Sequence, residues 1–108
     1  MFKTAILILL SFTGALVQAE PVHPCAAEAV VQAKKLLEFH FGPDERMTID
    51  ETVKVLPSLK NPAGKGKLDV LEVMGYIYKG TYRMHFIYGQ IPGECVLVGQ
   101  EILEITNL

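Results

Sequence analysis

The sequence predicts an α+β fold in which one N-terminal helix packs on a four-stranded antiparallel sheet and is fastened there by one disulfide. Three observations carry this expectation. Apolar residues recur at helical spacing over 24–41, alternating segments follow from 47 onward, and the two cysteines, Cys25 and Cys95, stand at opposite ends of that order.

The first residues have a separate role. Met1, Phe2 and Lys3 precede an apolar run over 5–10, and small residues lead up to Ala19, which is the order a signal peptidase reads. A membrane span needs roughly 20 apolar residues, and this run is interrupted sooner. We therefore expect residues 1–19 to be a cleavable signal peptide and 20–108 to be a single domain, 89 residues cut from 108. Export, to a periplasm or to the outside of a cell, implies an oxidising compartment and no membrane attachment after cleavage. A bond between Cys25 and Cys95 is then the expected state of the only two cysteines. Closing so long a loop is worth about 4 kcal/mol on the chain-entropy estimate, a large part of what stabilises a small domain.

Charge excludes one class of partner. Ten Lys and Arg against twelve Asp and Glu become nine against twelve once Lys3 is removed, a net of −3, and no basic stripe is present. Nucleic acid is not an expected partner. Asn61 is followed by a proline and Asn107 is second from the end, so neither is a glycosylation acceptor.

Over 24–41 the apolar set Ala26, Ala29, Val30, Ala33, Leu36, Leu37 and Phe41 lies on one helical face, with Glu28, Gln32 and Lys35 on the other. Pro24 suits the first helical position, and Gly42 with Pro43 ends the helix. A strand is expected over 47–56, with Ile49, Val53 and Val55 on one side and Thr48, Asp50, Thr52 and Lys54 on the other. Two prolines and two glycines make 57–66 a loop. Over 67–88 a two-residue turn at Lys79 and Gly80 sets a hairpin register. It opposes Ile77 to Tyr82, Gly75 to Met84, Val73 to Phe86 and Leu71 to Tyr88 on an apolar face, taken as the core. The other face pairs Tyr78 with Thr81, Tyr76 with Arg83, Met74 with His85 and Glu72 with Ile87. A four-residue turn over 89–92 leads to a last strand over 93–106. There Cys95 opposes Phe86, Leu97 opposes Met84, and the Tyr82 ring covers Gly99. Cys95, Leu103 and Ile105 are expected on the core face, with a bulge just after Gly99, where Glu101 breaks the alternation.

This order, one helix followed by a sheet that wraps it, resembles the cystatin-like architecture across the mature chain. The glutamine, valine and glycine loop of cystatin inhibitors is absent. Gln90, Ile91, Pro92 and Gly93 echo it only in the next turn along, so no inhibitory residues carry over.

Chemistry-bearing residues are few. His23 lies two residues from Cys25 but has no further ligand at zinc spacing, and an oxidised Cys25 is no ligand, so neither a metal nor a cofactor is expected. His40 falls in the last helical turn, where a cation meets the negative end of the helix dipole. The segment from Gly64 to Lys67 lacks the spacing and the hydroxyl of a phosphate loop. Asp50 and Glu51 are strand neighbours that point to opposite faces, which excludes a catalytic dyad. Tyr76, Tyr78, Arg83, His85 and Ile87 share the second sheet face and are the candidate binding residues, with stacking of Arg83 on Tyr76 as the purely structural alternative. The expectation is a non-enzymatic binding or protein-interaction domain for a protein or small-ligand partner. The competing readings are a small enzyme with a histidine in a cleft, and a structural subunit that pairs through an edge strand.

Overall fold

The computed structural model describes residues 22–105; the expected signal peptide, residues 1–19, lies outside them. The fold is α+β, one helix on an antiparallel sheet. Helix α1 spans Ala26–Phe41, so at 1.5 Å per residue it is about 24 Å long. Pro24 precedes the helix rather than opening it. Cys25 is the N-cap and its carbonyl accepts the first helical bond from the Ala29 amide at 2.9 Å. At the other end Gly42 takes a positive φ of 77° and its amide closes on the Glu38 carbonyl, a conformation that glycine adopts without a Cβ penalty.

Five strands follow: β1 (Met47–Ile49), β2 (Lys54–Lys60), β3 (Lys67–Ile77), β4 (Gly80–Ile91) and β5 (Glu94–Ile105). The expected first strand is broken in two. Asp50 still donates its amide to the Met74 carbonyl, but its carboxylate accepts the Thr52 amide at 2.9 Å, a local turn that competes with the ladder. Both pieces lie along the same side of β3, so the five strands occupy four lanes in the order β1/β2, β3, β4, β5. Strand β2 runs on through Pro57, placed within the loop by the sequence. A register irregularity between Leu56 and Leu59 brackets that proline on an edge strand, where a missing amide hydrogen does no harm.

The β3–β4 turn is Tyr78 and Lys79, one residue earlier than expected, and Ile77 pairs with Gly80. The pairing moves by two residues, so every side chain keeps its expected face while its partner changes. Glycine is needed inside the strand because the Tyr82 ring folds over it. A Cβ at Gly80 would lie 2.7 Å from the Tyr82 hydroxyl. The positive φ of the turn, 54°, then falls on Tyr78, which costs about 1 kcal/mol or more for a bulky residue. Arg46 at 5.0 Å and Lys79 at 5.5 Å from the Tyr78 ring centre offset part of this, each worth roughly 0.5 to 1 kcal/mol.

The β4–β5 turn is also tighter than expected, Pro92 and Gly93 only, with Gly93 at φ 77°. Cys95 therefore opposes Gln90, and Leu97 opposes Tyr88. Cys95 does reach the core face. The bulge lies at Val98, before Gly99 rather than after it, and beyond it the alternation inverts. Ile102 opposes Met84 on the core face, whereas Leu103 and Ile105 oppose Arg83 and Thr81 on the outer one, contrary to their expected place. Tyr82 faces Glu104, not Gly99, which instead lies under Ile87.

The core is the layer between α1 and the sheet. Ala29, Ala33 and Leu37 meet Leu71, Val73, Met84, Phe86 and Tyr88, all fully buried. The helix packs chiefly on β3 and to a lesser extent on β1. The two alanines let it sit low, and Gly75 sets how close it comes: a Cβ there would lie 2.6 Å from Leu37 Cδ1 and 2.9 Å from Met84 Cε. Phe41 closes the C-terminal end of this layer on the Tyr82 ring, centroids 4.8 Å apart. Replacement of Gly75 by valine would force α1 away from β3. We expect Gly75→Val to lower stability by about 1 to 3 kcal/mol in urea unfolding, and an unchanged midpoint would show that the helix does not approach β3 this closely.

Candidate functional site

The face of the sheet turned away from α1 carries the candidate binding residues, and its register arranges them in rows across the strands. At one end Thr48, Tyr76, Thr81 and Ile105 lie abreast, followed by Met74, Arg83 and Leu103. The middle row is charged: Lys54, Glu72, His85 and Glu101. Beyond it lie Leu56, Val70, Ile87 and Gly99, then Leu59, Leu68, Gly89 and Val96. Largely apolar rows, one of them holding Arg83, thus flank a row of alternating charge.

His85 is the centre of that row. Its Nε2 lies 2.9 Å from Glu72 Oε2 and its Nδ1 2.8 Å from Glu101 Oε1. Both contacts are donor to acceptor only when the ring is an imidazolium, because a neutral ring has one donor. Arg83 places its Nε 3.4 Å from the same Glu72 oxygen. Its partner is therefore Glu72 on β3, and Met74 rather than Tyr76 stands directly opposite it. Arg83, His85, Glu72 and Glu101 thus form one contiguous polar network across three strands. Tyr76, Arg83 and His85 share this face, with Ile87 half-buried beside them, whereas Tyr78 stands apart in the turn under Arg46 and Lys79. Glu72 and Glu101, absent from the expected set, are the residues that make the group a network. The signal for Glu101 was its break in the alternation, which a bulge at Val98 converts into a place beside His85.

A second polar cluster fastens the opposite face. The Cys25 amide donates to His23 Nδ1 at 3.0 Å, which leaves the ring proton on Nε2 to be donated to Asp69 Oδ2 at 2.9 Å. The other Asp69 oxygen accepts the Gln90 amide at 2.7 Å. These bonds hold the Asp69 carboxyl below its ordinary value, Gln90 first and His23 second. Both nitrogens of His23 are thus engaged, and the segment before the helix is held to β3 and β4 beside the Cys25–Cys95 disulfide. A cleft of about 420 Å³ opens next to this cluster, between Pro24 and the β4–β5 turn. His40 sits in the last turn of α1 with its ring edge-on to Phe39.

Under the N-terminal half of α1 the hydroxyl of fully buried Tyr88 makes no hydrogen bond, and neither does the buried Oε2 of Glu28. Glu28, expected on the solvent face, turns partly inward. Burial pushes the Tyr88 phenol up, and the nearby Glu28 charge adds to this, although the two oxygens do not meet in hydrogen-bonding geometry. Among the described residues no helix is long and apolar enough to cross a membrane; this and the disulfide are compatible with an exported protein. Comparison with protein-family models, with curated proteins and with solved structures returns no match.

The raised Tyr88 phenol makes stability depend on alkaline pH. Below its ordinary value of 10 both folded and unfolded chains keep the proton. Above it the unfolded chain loses the proton first, so stability falls as pH rises. Tyr88→Phe is therefore expected to change stability by less than about 1 kcal/mol at neutral pH and to lose less of it than the parent above pH 10. Urea midpoints measured across that range check this; parallel curves would contradict it.

Proposed function

We propose that this chain is an exported, non-enzymatic interaction domain that docks a partner protein against the open sheet face, on the patch formed by Tyr76, Met74, Ile87 and Leu103. The observation that supports this reading is the combination of exposed apolar groups with internally matched charges. Leu103 is 60% and Tyr76 36% exposed on a face that α1 does not cover. Beside them Arg83, His85, Glu72 and Glu101 already satisfy one another. Such a surface asks for no counter-charge from its partner. It favours a flat, apolar complement bearing aromatic or aliphatic anchors, and apolar area that serves no fold is what interfaces bury.

The competing readings have less support. An enzyme of this kind needs a histidine with a free nitrogen in a cleft beside a converging carboxylate; His23 and His85 have both ring nitrogens engaged, and His40 is exposed on the helix and lines none of the clefts described here. Pairing through the outer edge of β5 is disfavoured by the Val98 bulge and by Glu94, Glu101 and Glu104 along that strand, features that blunt an edge.

The test is affinity capture from the exported fraction with three baits: the parent, Tyr76→Ala/Leu103→Ala on the open face, and Phe39→Ala on the exposed side of the helix. We expect a partner retained by the parent and by the Phe39 variant to fall by about tenfold or more with the face variant, as loss of central anchors does. Identical profiles for all three baits would remove the proposal.

A further inference from the structure

A second cleft lies at the far end of the same face, apart from the Tyr76 and Leu103 patch, where the loop over 61–66 leans across the ends of β3, β4 and β5. Its volume is about 590 Å³. Leu68, Ile91 and Val98 supply apolar walls, Gly89 leaves bare backbone between them, and Lys65 and Lys67 stand on its rim. Ile91 is 44% and Val98 55% exposed. Val98 is the extra residue of the bulge, which aims an added side chain at this place. The loop is shaped by Asn61, whose Oδ1 accepts the Ala63 amide at 2.9 Å and whose own amide donates to the Gly66 carbonyl at 3.1 Å.

The charges here are unbalanced, unlike those of the row around His85. Lys60 and Lys67 are directly opposed across β2 and β3, an arrangement that destabilises a strand pair, and Lys65 lies within the same loop. Among the described residues the carboxylate contacts join His23 to Asp69, Arg46 to Asp44, Arg83 to Glu72, and His85 to Glu72 and Glu101; none includes these lysines. The nearest strand carboxylate, Asp69, points to the other face and is held by His23 and Gln90. Two like charges, Lys65 and Lys67, thus stand at the mouth of a largely apolar cleft, with Lys60 opposed to Lys67 behind them, on a chain whose overall charge is −2.

We infer that this cleft binds a single-chain anionic amphiphile, a free aliphatic carboxylate whose tail lies on Leu68, Ile91 and Val98 and whose head meets Lys65 and Lys67. The apolar walls select the chain, as in small-molecule sites generally. The two ammonium groups select the charge through charge-assisted hydrogen bonds. A neutral amphiphile would gain only the first contribution.

Titration of the isotopically labelled protein with decanoate below its micellar concentration, followed by amide chemical shifts, tests this. Saturable shifts are expected at Lys65, Lys67, Leu68, Ile91 and Val98, with affinity falling by about tenfold or more in Lys65→Gln/Lys67→Gln. Gly89→Leu offers a second variant, since a Cβ at Gly89 meets nothing closer than Ile91 Cδ1 at 3.9 Å. The longer side chain fills the cleft, and its expected result is loss of binding with the rest of the spectrum preserved. Decanol binding as tightly as decanoate, equal affinity in the lysine variant, shifts confined to the Tyr76 and Leu103 patch, binding only to vesicles of anionic lipid, or no saturable shift would each overturn the inference. Because the probe and the residues differ from those of the protein-docking patch, either proposal can fail without the other.

Discussion

The bond between Cys25 and Cys95 joins the first residue of the helical layer to the first turn of the last strand, 70 residues away in sequence. Without it the helix would be held by a thin layer of contacts, mostly on β3 and made by two alanines and two leucines. A domain of this size buries only about 60% of its unfolded surface, so a tie that removes about 4 kcal/mol of chain entropy from the unfolded state is comparable to its whole stability. His23, Asp69 and Gln90 work at the same end. Through them the segment before the helix is also bound to β3 and β4, so all three long strands are gathered under the helix N-terminus.

Among the described residues no second layer covers the sheet face turned away from α1. The helix occupies the other, and the connection from α1 to β1 is too short to bring a second layer round. On the open face, composition is then free to serve something other than the core. Glu72, His85 and Glu101 of its middle row pair with one another and with Arg83, its other rows are largely apolar, and the lysines of the β2–β3 loop are left over. The Val98 bulge is what produces this pattern, because the single extra residue turns Glu101 toward His85 and Leu103 outward while keeping Ile102 in the core. A straight β5 would have buried Glu101 and Leu103 together.

Much of the fold was legible in the residues. The spacing of Ala29, Ala33, Leu36 and Leu37 specified the helix and its buried face, and the alternation through 71–88 placed the core side chains on one face, although Val70 on the other face is also buried. Registers were less legible. Gly80 looks like a turn residue because glycine tolerates positive φ, yet it serves inside β4 as the bare site under the Tyr82 ring, and Tyr78 takes the strained position with support from Arg46. Pro57 looks like a loop residue, yet an edge strand with an irregularity accommodates it. Local propensity cannot report either outcome, since both depend on a ring or a strand brought up from elsewhere in the chain. Of the candidate residues, Tyr76, Arg83, His85 and Ile87 do share a face. Their partners Glu72 and Glu101 could be placed only after the bulge had been located.

Equilibrium unfolding in urea of the oxidised protein beside its Cys25→Ala/Cys95→Ala variant measures directly how far the helix-on-sheet packing depends on the covalent tie. A loss of about 4 kcal/mol in the variant is the expected result. Coincident unfolding curves would mean that the packing of α1 stands without the bond, and that the constraint placed at the centre of this structure is not the one that holds it.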